Sequence, residues 1–414
     1  MKFKKALAVI LALAMVLCFA ACGNEEAPAP TTPSTSGTDQ PSVPSGNTPA
    51  EPTAETPLGI DCSGDKTVTL RVSYMDPDTS ICGQYIRDLE AQITEASQGT
   101  IQFDNYAGGS LYSGPDALDG LLSGGCDMIW TPCTMFAGQF PIGEFCNLPL
   151  NGVNCSRMAC DVMNEMYANI PELQAEFEDF YVMMLGGCTV NPLCTTTKQI
   201  TSVDDLNGLT IRFASSLAKE WAVNVGLTPM TVATSETYEN LQKNIINGCA
   251  NDWHNIIAFS LTDVLGYCMK FELSPASFCV LLNKDTVAGL SDNQRAVLDY
   301  FADGYAADMA GYYWDSTRTA CLEAMEVAGT VVYECPEDVY TLFTSEENKA
   351  DVAQAYVEYL NGFGLDGEAI LAVGMEAVEK YATEYADPWA DAPNAVQSDA
   401  GYAVEGWTAL KDLQ

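Results

Sequence analysis

The sequence predicts an α/β fold of two lobes with mixed sheets, and three observations carry that expectation. Strand and helix signals alternate from Thr67 to Trp130, the grammar of a layered α/β unit with a largely parallel sheet. The same alternation starts again after Tyr181. The folded part of the 414-residue chain is about 350 residues, more than one hydrophobic core usually serves.

In the first unit, Thr67–Met75 alternates and is rich in Val, Leu and Tyr, which predicts a strand. Tyr85, Ile86, Leu89, Ile93 and Ala96 follow at helical spacing, with Gly99 as a stop. Ile101–Tyr106 is a second strand, Pro115–Leu122 a helix after the Gly108-Gly109 turn, and Cys126–Trp130 a third strand. In the second unit, strands are expected at Tyr181–Leu185, Leu193–Thr197, Leu209–Phe213, Pro229–Val232 and Cys249–Trp253. Helices are expected over 217–225 and over Ser235–Ile246, the latter capped by Ser235.

Tyr267–Leu273 and Phe278–Asn283 are predicted strands that cross between the lobes. Ser291–Ala328 is proline-free and opens on Ser291 and Gln294, a capping-box pattern. Unbroken, it would extend roughly 55 Å and brace both lobes. A strand at Thr330–Cys335 and helices at Ala350–Leu360 and Ala369–Tyr385 follow, and Asp387–Gln414 carries few signals.

The start of the chain reads differently. Lys2, Lys4 and Lys5 precede the apolar run Ala6–Phe19, and Ala20-Ala21 precede Cys22. That is the layout of a secretory signal, and the run is shorter than the ~20 residues a span requires. The thiol after two small residues is similar to a bacterial lipobox, with Phe19 where that motif usually has an aliphatic residue. The stretch from Gly23 to about Gly64 is rich in Pro, Thr, Ser, Ala and Glu and suits a spacer between a lipid and a domain. The expected organisation is a signal peptide at 1–21, a lipidated Cys22 with a disordered linker over 22–65, one lobe from 66–188 plus 277–318, the other from 189–276 plus 319–386, and a tail at 387–414. The protein is expected outside the cell, anchored to the outer face of the cytoplasmic membrane.

The formal net charge is −38, from 56 Asp+Glu against 18 Lys+Arg. Without the three signal lysines it is −41. Such a balance argues against a nucleic-acid partner, and any cation that meets an anionic ligand acts against an adverse field. Sixteen cysteines form no C-x-x-C pair, and His254 is the single histidine. No metal or cofactor is therefore expected. Most of the cysteines sit in apolar stretches, where a thiol packs as a small hydrophobe, and their pairing is left open.

Four ordered segments carry a resemblance. Asp205-Leu206-Asn207-Gly208-Leu209-Thr210-Ile211-Arg212, Gly226-Leu227-Thr228-Pro229-Met230, Ser235-Glu236-Thr237-Tyr238-Glu239-Asn240-Leu241-Gln242 and Asn247-Gly248-Cys249-Ala250-Asn251 fall within about 50 residues. Together they resemble the DctP-type extracytoplasmic solute-binding proteins of tripartite ATP-independent periplasmic (TRAP) transporters, and the likeness extends over about Thr67–Ala386. The resemblance implies a periplasmic-binding-protein-like architecture, in which two α/β lobes joined by crossing strands and a long helix close on a ligand. It implies an arginine, carried here by Arg212, that pairs with a ligand carboxylate. It also implies a monomer that delivers a small organic anion to integral membrane permease subunits driven by an ion gradient, and not an enzyme.

The chemistry of the residues fits. A guanidinium presents a planar fork that meets a carboxylate through two parallel hydrogen bonds. Asn251 falls where the family places a pocket asparagine, and Ser215 and Thr234 sit on loops facing the hinge. Trp253 is a candidate wall. From the first lobe, Tyr74 and Trp130 suit packing on a carbon skeleton, and Asp76 or Thr131 suit hydroxyl or amino groups. The stretch Asn191-Pro192-Leu193-Cys194 lacks the second arginine of sialic-acid-binding members, which argues against that ligand. Two other classes fit less well: a secreted hydrolase, for which no nucleophile or metalloprotease motif occurs, and a receptor serving another transporter or a sensor.

Overall fold

The computed structural model describes residues 57–390, 392, 394–398 and 401–404. The signal peptide, Cys22 and most of the linker lie outside these residues. Where the linker enters them it is not a free spacer, because Leu58 and Ile60 pack on the core and Cys62 is fully buried.

Eleven strands build two sheets: β1 Val68–Tyr74, β2 Ile101–Tyr106, β3 Met128–Pro132, β4 Phe180–Gly187, β5 Leu193–Thr195, β6 Thr210–Phe213, β7 Thr228–Thr231, β8 Gly248–Ala250, β9 Tyr267–Lys270, β10 Ser277–Asn283 and β11 Val331–Glu334. The first sheet has the order β2-β1-β3-β10-β4 and the second β11-β9-β5-β8-β6-β7. Both are mixed. In the first, β1 runs parallel to β2 and β3 while β10 is antiparallel to β3 and β4. In the second, β6 is parallel to β7 and β8 while β5 is antiparallel to β8 and β9. Every residue of β10 is buried, as expected of a central strand covered on both faces.

The helix Ile81–Ala96 shows how pattern becomes packing. Ser80 accepts from the Gly83 amide and closes the N-terminus. Tyr85, Ile86, Leu89, Ile93 and Ala96 form one fully buried stripe. Glu90 lies beside that stripe, only 5% exposed, with Asn105 as hydrogen-bond partner. Burial pushes its carboxyl from an ordinary 4.5 up to about 8. The folded state therefore holds this proton more tightly than the unfolded chain does. Its contribution to stability is full below 4.5 and is lost as pH rises towards about 8. Glu90→Gln should flatten the fall in melting temperature across that window, and an unchanged slope in thermal unfolding would refute the assignment.

The chain crosses between the sheets at residues 188–192 and 271–276. These segments run side by side: the Cys188 amide donates to Ala276 O, Asn191 N to Ser274 O and Leu273 N to Asn191 O, at 2.8–3.2 Å. The expected crossing thus falls between β9 and β10, not along them.

Two expectations fail. The long helix is not continuous: it runs as Asp292–Tyr300, a π-turn over Phe301–Tyr305, Ala306–Asp315 and Thr317–Ala328. The capping box at Ser291 and Gln294 is present, but Gly304 adopts φ +98°, outside helical space. At the second break, Ser316 Oγ and Thr317 Oγ1 bond back to the carbonyls of Tyr313 and Trp314, which bends a helix. Ser235 caps nothing, because a 3₁₀ turn over Thr234–Glu236 precedes the helix Thr237–Gln242.

The sequence signals also missed a helix at Ser156–Asn169, where Cys155 Sγ accepts from the Met158 amide in place of an ordinary cap. The hairpin Ala395–Ser398 with Gly401–Val404 was missed as well. All fourteen cysteines among the described residues are free thiols, thirteen of them buried.

Candidate functional site

The C-terminal ends of β1, β3, β6 and β7 face one another across the two sheets, where open α/β sheets bind ligands. A cavity of about 190 Å³ lies there. Met75, Asp76, Trp130, Pro132 and Met135 line it from the first lobe, and Arg212, Thr231, Thr234, Asp252 and Asn255 from the second. Cys188, Asn191 and Ala276, from the two crossing segments, also line it.

Arg212 stands on β6 beside Cys249 of β8 and Met230 of β7. Alternation along the strand sends Ile211 into the core and Arg212 the other way. Its guanidinium is held on several sides: Nε donates to Val232 O at 2.9 Å, Nη1 to Asn251 Oδ1 at 3.0 Å and Nη2 to Thr234 Oγ1 at 2.9 Å. All three acceptors are uncharged. Arg212 is 3% exposed and, among the described residues, has no ion-pair partner. Burial draws its pKa from 12.5 down to about 10, so it remains a cation at neutral pH. A buried charge without a direct ion pair is unfavourable unless a ligand supplies one.

Two polar contacts join the lobes near the cavity. His254 Nε2 lies 3.1 Å from Asp76 Oδ1 with both side chains buried. Ser215 Oγ donates to Glu144 Oε2 at 2.8 Å, and burial raises the Glu144 carboxyl above its ordinary range.

Of the residues expected from sequence, Arg212, Thr234, Trp130 and Asp76 line the cavity. Asn251 does not line it but orients Arg212, with its own Nδ2 unpaired among the described residues. Four others are corrected. Ser215 is turned to Glu144 and caps the 3₁₀ turn Ser216–Ala218. Thr131 follows Trp130 on β3, so alternation points it to the other face, 1% exposed. Tyr74 is buried in the core and its hydroxyl donates to Asp78 Oδ1 at 2.8 Å. Trp253 opens the helix Trp253–Ala258 and is fully buried, with the Arg318 guanidinium 5.7 Å above its ring.

Asp252 was missed. It caps that helix by accepting from the Asn255 amide at 2.8 Å while facing the cavity. An aspartate directly after Asn251 and before an apolar turn was the available signal. Asn191, from the stretch that lacks a second arginine, also lines the wall. Met75 and Met135 had no signal, since a methionine at a strand end reads equally as core. Among the described residues no group of His, Cys, Asp or Glu is arranged to hold a metal ion.

Two mixed-sheet lobes, two crossing segments and an enclosed cation between them define a solute-binding protein. The profile of the DctP family, the bacterial extracellular solute-binding proteins of family 7, matches residues 72–357, and the chain belongs to that family. Its relatives are binding proteins of transporters, not enzymes. Among curated proteins it is 23% identical, over 64% of this chain and 80% of the other, to the C4-dicarboxylate-binding periplasmic protein DctP of Rhodobacter capsulatus. It is similar in fold to a TRAP solute-binding protein of Rhodoferax ferrireducens solved with copurified benzoate, with TM-score 0.72 and 24% identity over 77% of this chain and 100% of that one. A marine metagenome TRAP solute-binding protein specific for aromatic acid ligands gives TM-score 0.70 and 21% identity, over 76% of this chain and 99% of that one.

Proposed function

We propose that this chain is an extracytoplasmic receptor that captures a small organic acid between its lobes and delivers it to a TRAP-type permease driven by an ion gradient. The observation that carries the reading is Arg212: a buried guanidinium on the cavity wall, fixed by three uncharged acceptors and without a carboxylate partner among the described residues. A ligand carboxylate would supply the direct ion pair that no described side chain makes to it. Because the cavity is lined from both lobes, such a ligand binds the closed arrangement better than the open one and so favours closure.

The relatives support the ligand class. The neighbours named above bind benzoate and aromatic acids, and another, from Chromohalobacter salexigens, holds D-glucuronate. In this reading Arg212 takes the carboxylate, Asn251 and Thr234 fix the guanidinium, Trp130 packs on the carbon skeleton and Asp76 meets the ligand's polar groups. The lobes are 66–188 with 277–318 and 189–276 with 319–386. Cys22 carries the lipid that holds the receptor, as a monomer, on the outer face of the membrane, within reach of the permease.

A thermal-shift screen of the purified chain against organic acids tests this. A ligand present at about 100 times its Kd adds about 2.7 kcal/mol of stability and raises the melting temperature. At least one carboxylate should do so while its uncharged amide does not. Equal shifts with the amide, or stabilisation only by uncharged sugars, would defeat the proposal.

A further inference from the structure

Charge in the cavity does not balance for a simple acid. Arg212 is its one cation among the described lining residues, yet both Asp76 and Asp252 line the same space. They are 2% and 1% exposed, so bulk water does little to screen them. No lysine or second arginine lines the space beside them among the described residues. Asp252 is bonded by the backbone and side-chain amides of Asn255, which are neutral donors. Asp76 is approached by His254 Nε2 at 3.1 Å, from a side chain that does not itself line the cavity.

A bare monocarboxylate on Arg212 would use up the one cation among the lining residues and leave Asp252, bonded only by the neutral amides of Asn255, facing a second negative charge. A dicarboxylate makes the imbalance worse. A ligand that brings its own cation removes it.

We infer that the acid held by Arg212 also carries a positively charged nitrogen facing Asp76 and Asp252, so that the receptor selects zwitterionic, amino-acid-like solutes over simple mono- or dicarboxylates. The inference rests on the carboxylate reading of Arg212 and adds the second half of the ligand. Arg212 comes from the second lobe and Asp76 from the first, so the two charges of a zwitterion engage opposite lobes. That gives closure a differential driving force that neither end supplies alone.

Calorimetry on the full chain with matched pairs tests it: butyrate against 4-aminobutyrate, phenylacetate against phenylglycine, acetate against glycine, and succinate alone. At least one amino-bearing member should bind about thirtyfold or more tightly than its bare counterpart, the scale of a buried charge pair. Asp76→Asn should erase most of that preference. A bare acid or succinate binding as well as or better than every amino-bearing partner overturns the inference and leaves the organic-acid receptor standing. Preference for the amine that persists undiminished in both Asp76→Asn and Asp252→Asn also overturns it. Amino-bearing ligands that bind Arg212→Ala as tightly as the native chain would instead sink the underlying carboxylate reading.

Discussion

Replacing Arg212 with alanine is expected to weaken binding of the native ligand by about thirtyfold to several thousandfold, the range for losing one partner of a buried charge pair. The fold should survive. Arg212 makes no ion pair among the described residues, so its removal breaks no salt bridge, although it takes the one lining cation away from Asp252 and Asp76. Relief of a desolvated cation, whose pKa is drawn down to about 10, opposes the loss of the charge facing Asp252, so the melting temperature of the empty protein should stay close to the native value. Arg212→Lys should fail nearly as badly, because an ammonium lacks the planar fork that serves Val232, Asn251, Thr234 and a ligand together. Calorimetry and thermal unfolding on the same samples separate the outcomes. Lost binding with a lower melting temperature would mean that Arg212 is a structural residue.

Truncating Trp314 should give the largest loss of stability. Its ring is fully buried and stacks on Trp130 at 5.8 Å and on Phe278 at 4.6 Å, with the edge contacts of Tyr85 and His254 at 5.4 and 5.8 Å. Trp314→Ala leaves a cavity among these groups and should cost about 3–5 kcal/mol in urea unfolding. Binding should weaken as well, since Trp130, the aromatic wall of the ligand cavity, loses its backing. Trp314→Phe should recover part of both. A change under about 1 kcal/mol would show that the helix Ala306–Asp315 does not brace the site through this ring.

Much of this fold was legible because its strands and helices obey their periods. The stripe from Tyr85 to Ala96 and the apolar run of β10 are buried as their patterns imply. The breaks in the long helix were not legible. Gly304 reads as a tolerated helical glycine until its φ of +98° is seen, and Ser316 bends the helix through hydroxyl contacts that depend on packing. The strands Ala395–Ser398 and Gly401–Val404 have four residues each, too short for a period to stand out.

For the site, motif segments located Arg212 and Asn251 because local sequence fixes the end of β6 and the turn after β8. The first lobe's share was harder. Trp130 and Thr131 are adjacent and both are plausible, yet one residue of alternation puts only Trp130 in the cavity. Tyr74 and Asp76 divide for a different reason: Tyr74 ends β1 with its ring in the core, and Asp76 lies past the strand, where the chain turns to the ligand space. Register across a sheet decides the first pair, and a single strand's sequence does not contain it.

The most direct test is a crystal structure of the chain with a bound organic acid. A carboxylate should lie between the lobes with both oxygens within hydrogen-bond distance of the Arg212 guanidinium and the rest of the ligand against Trp130. A ligand seated elsewhere, or one that turns an uncharged group to Arg212, would contradict the account.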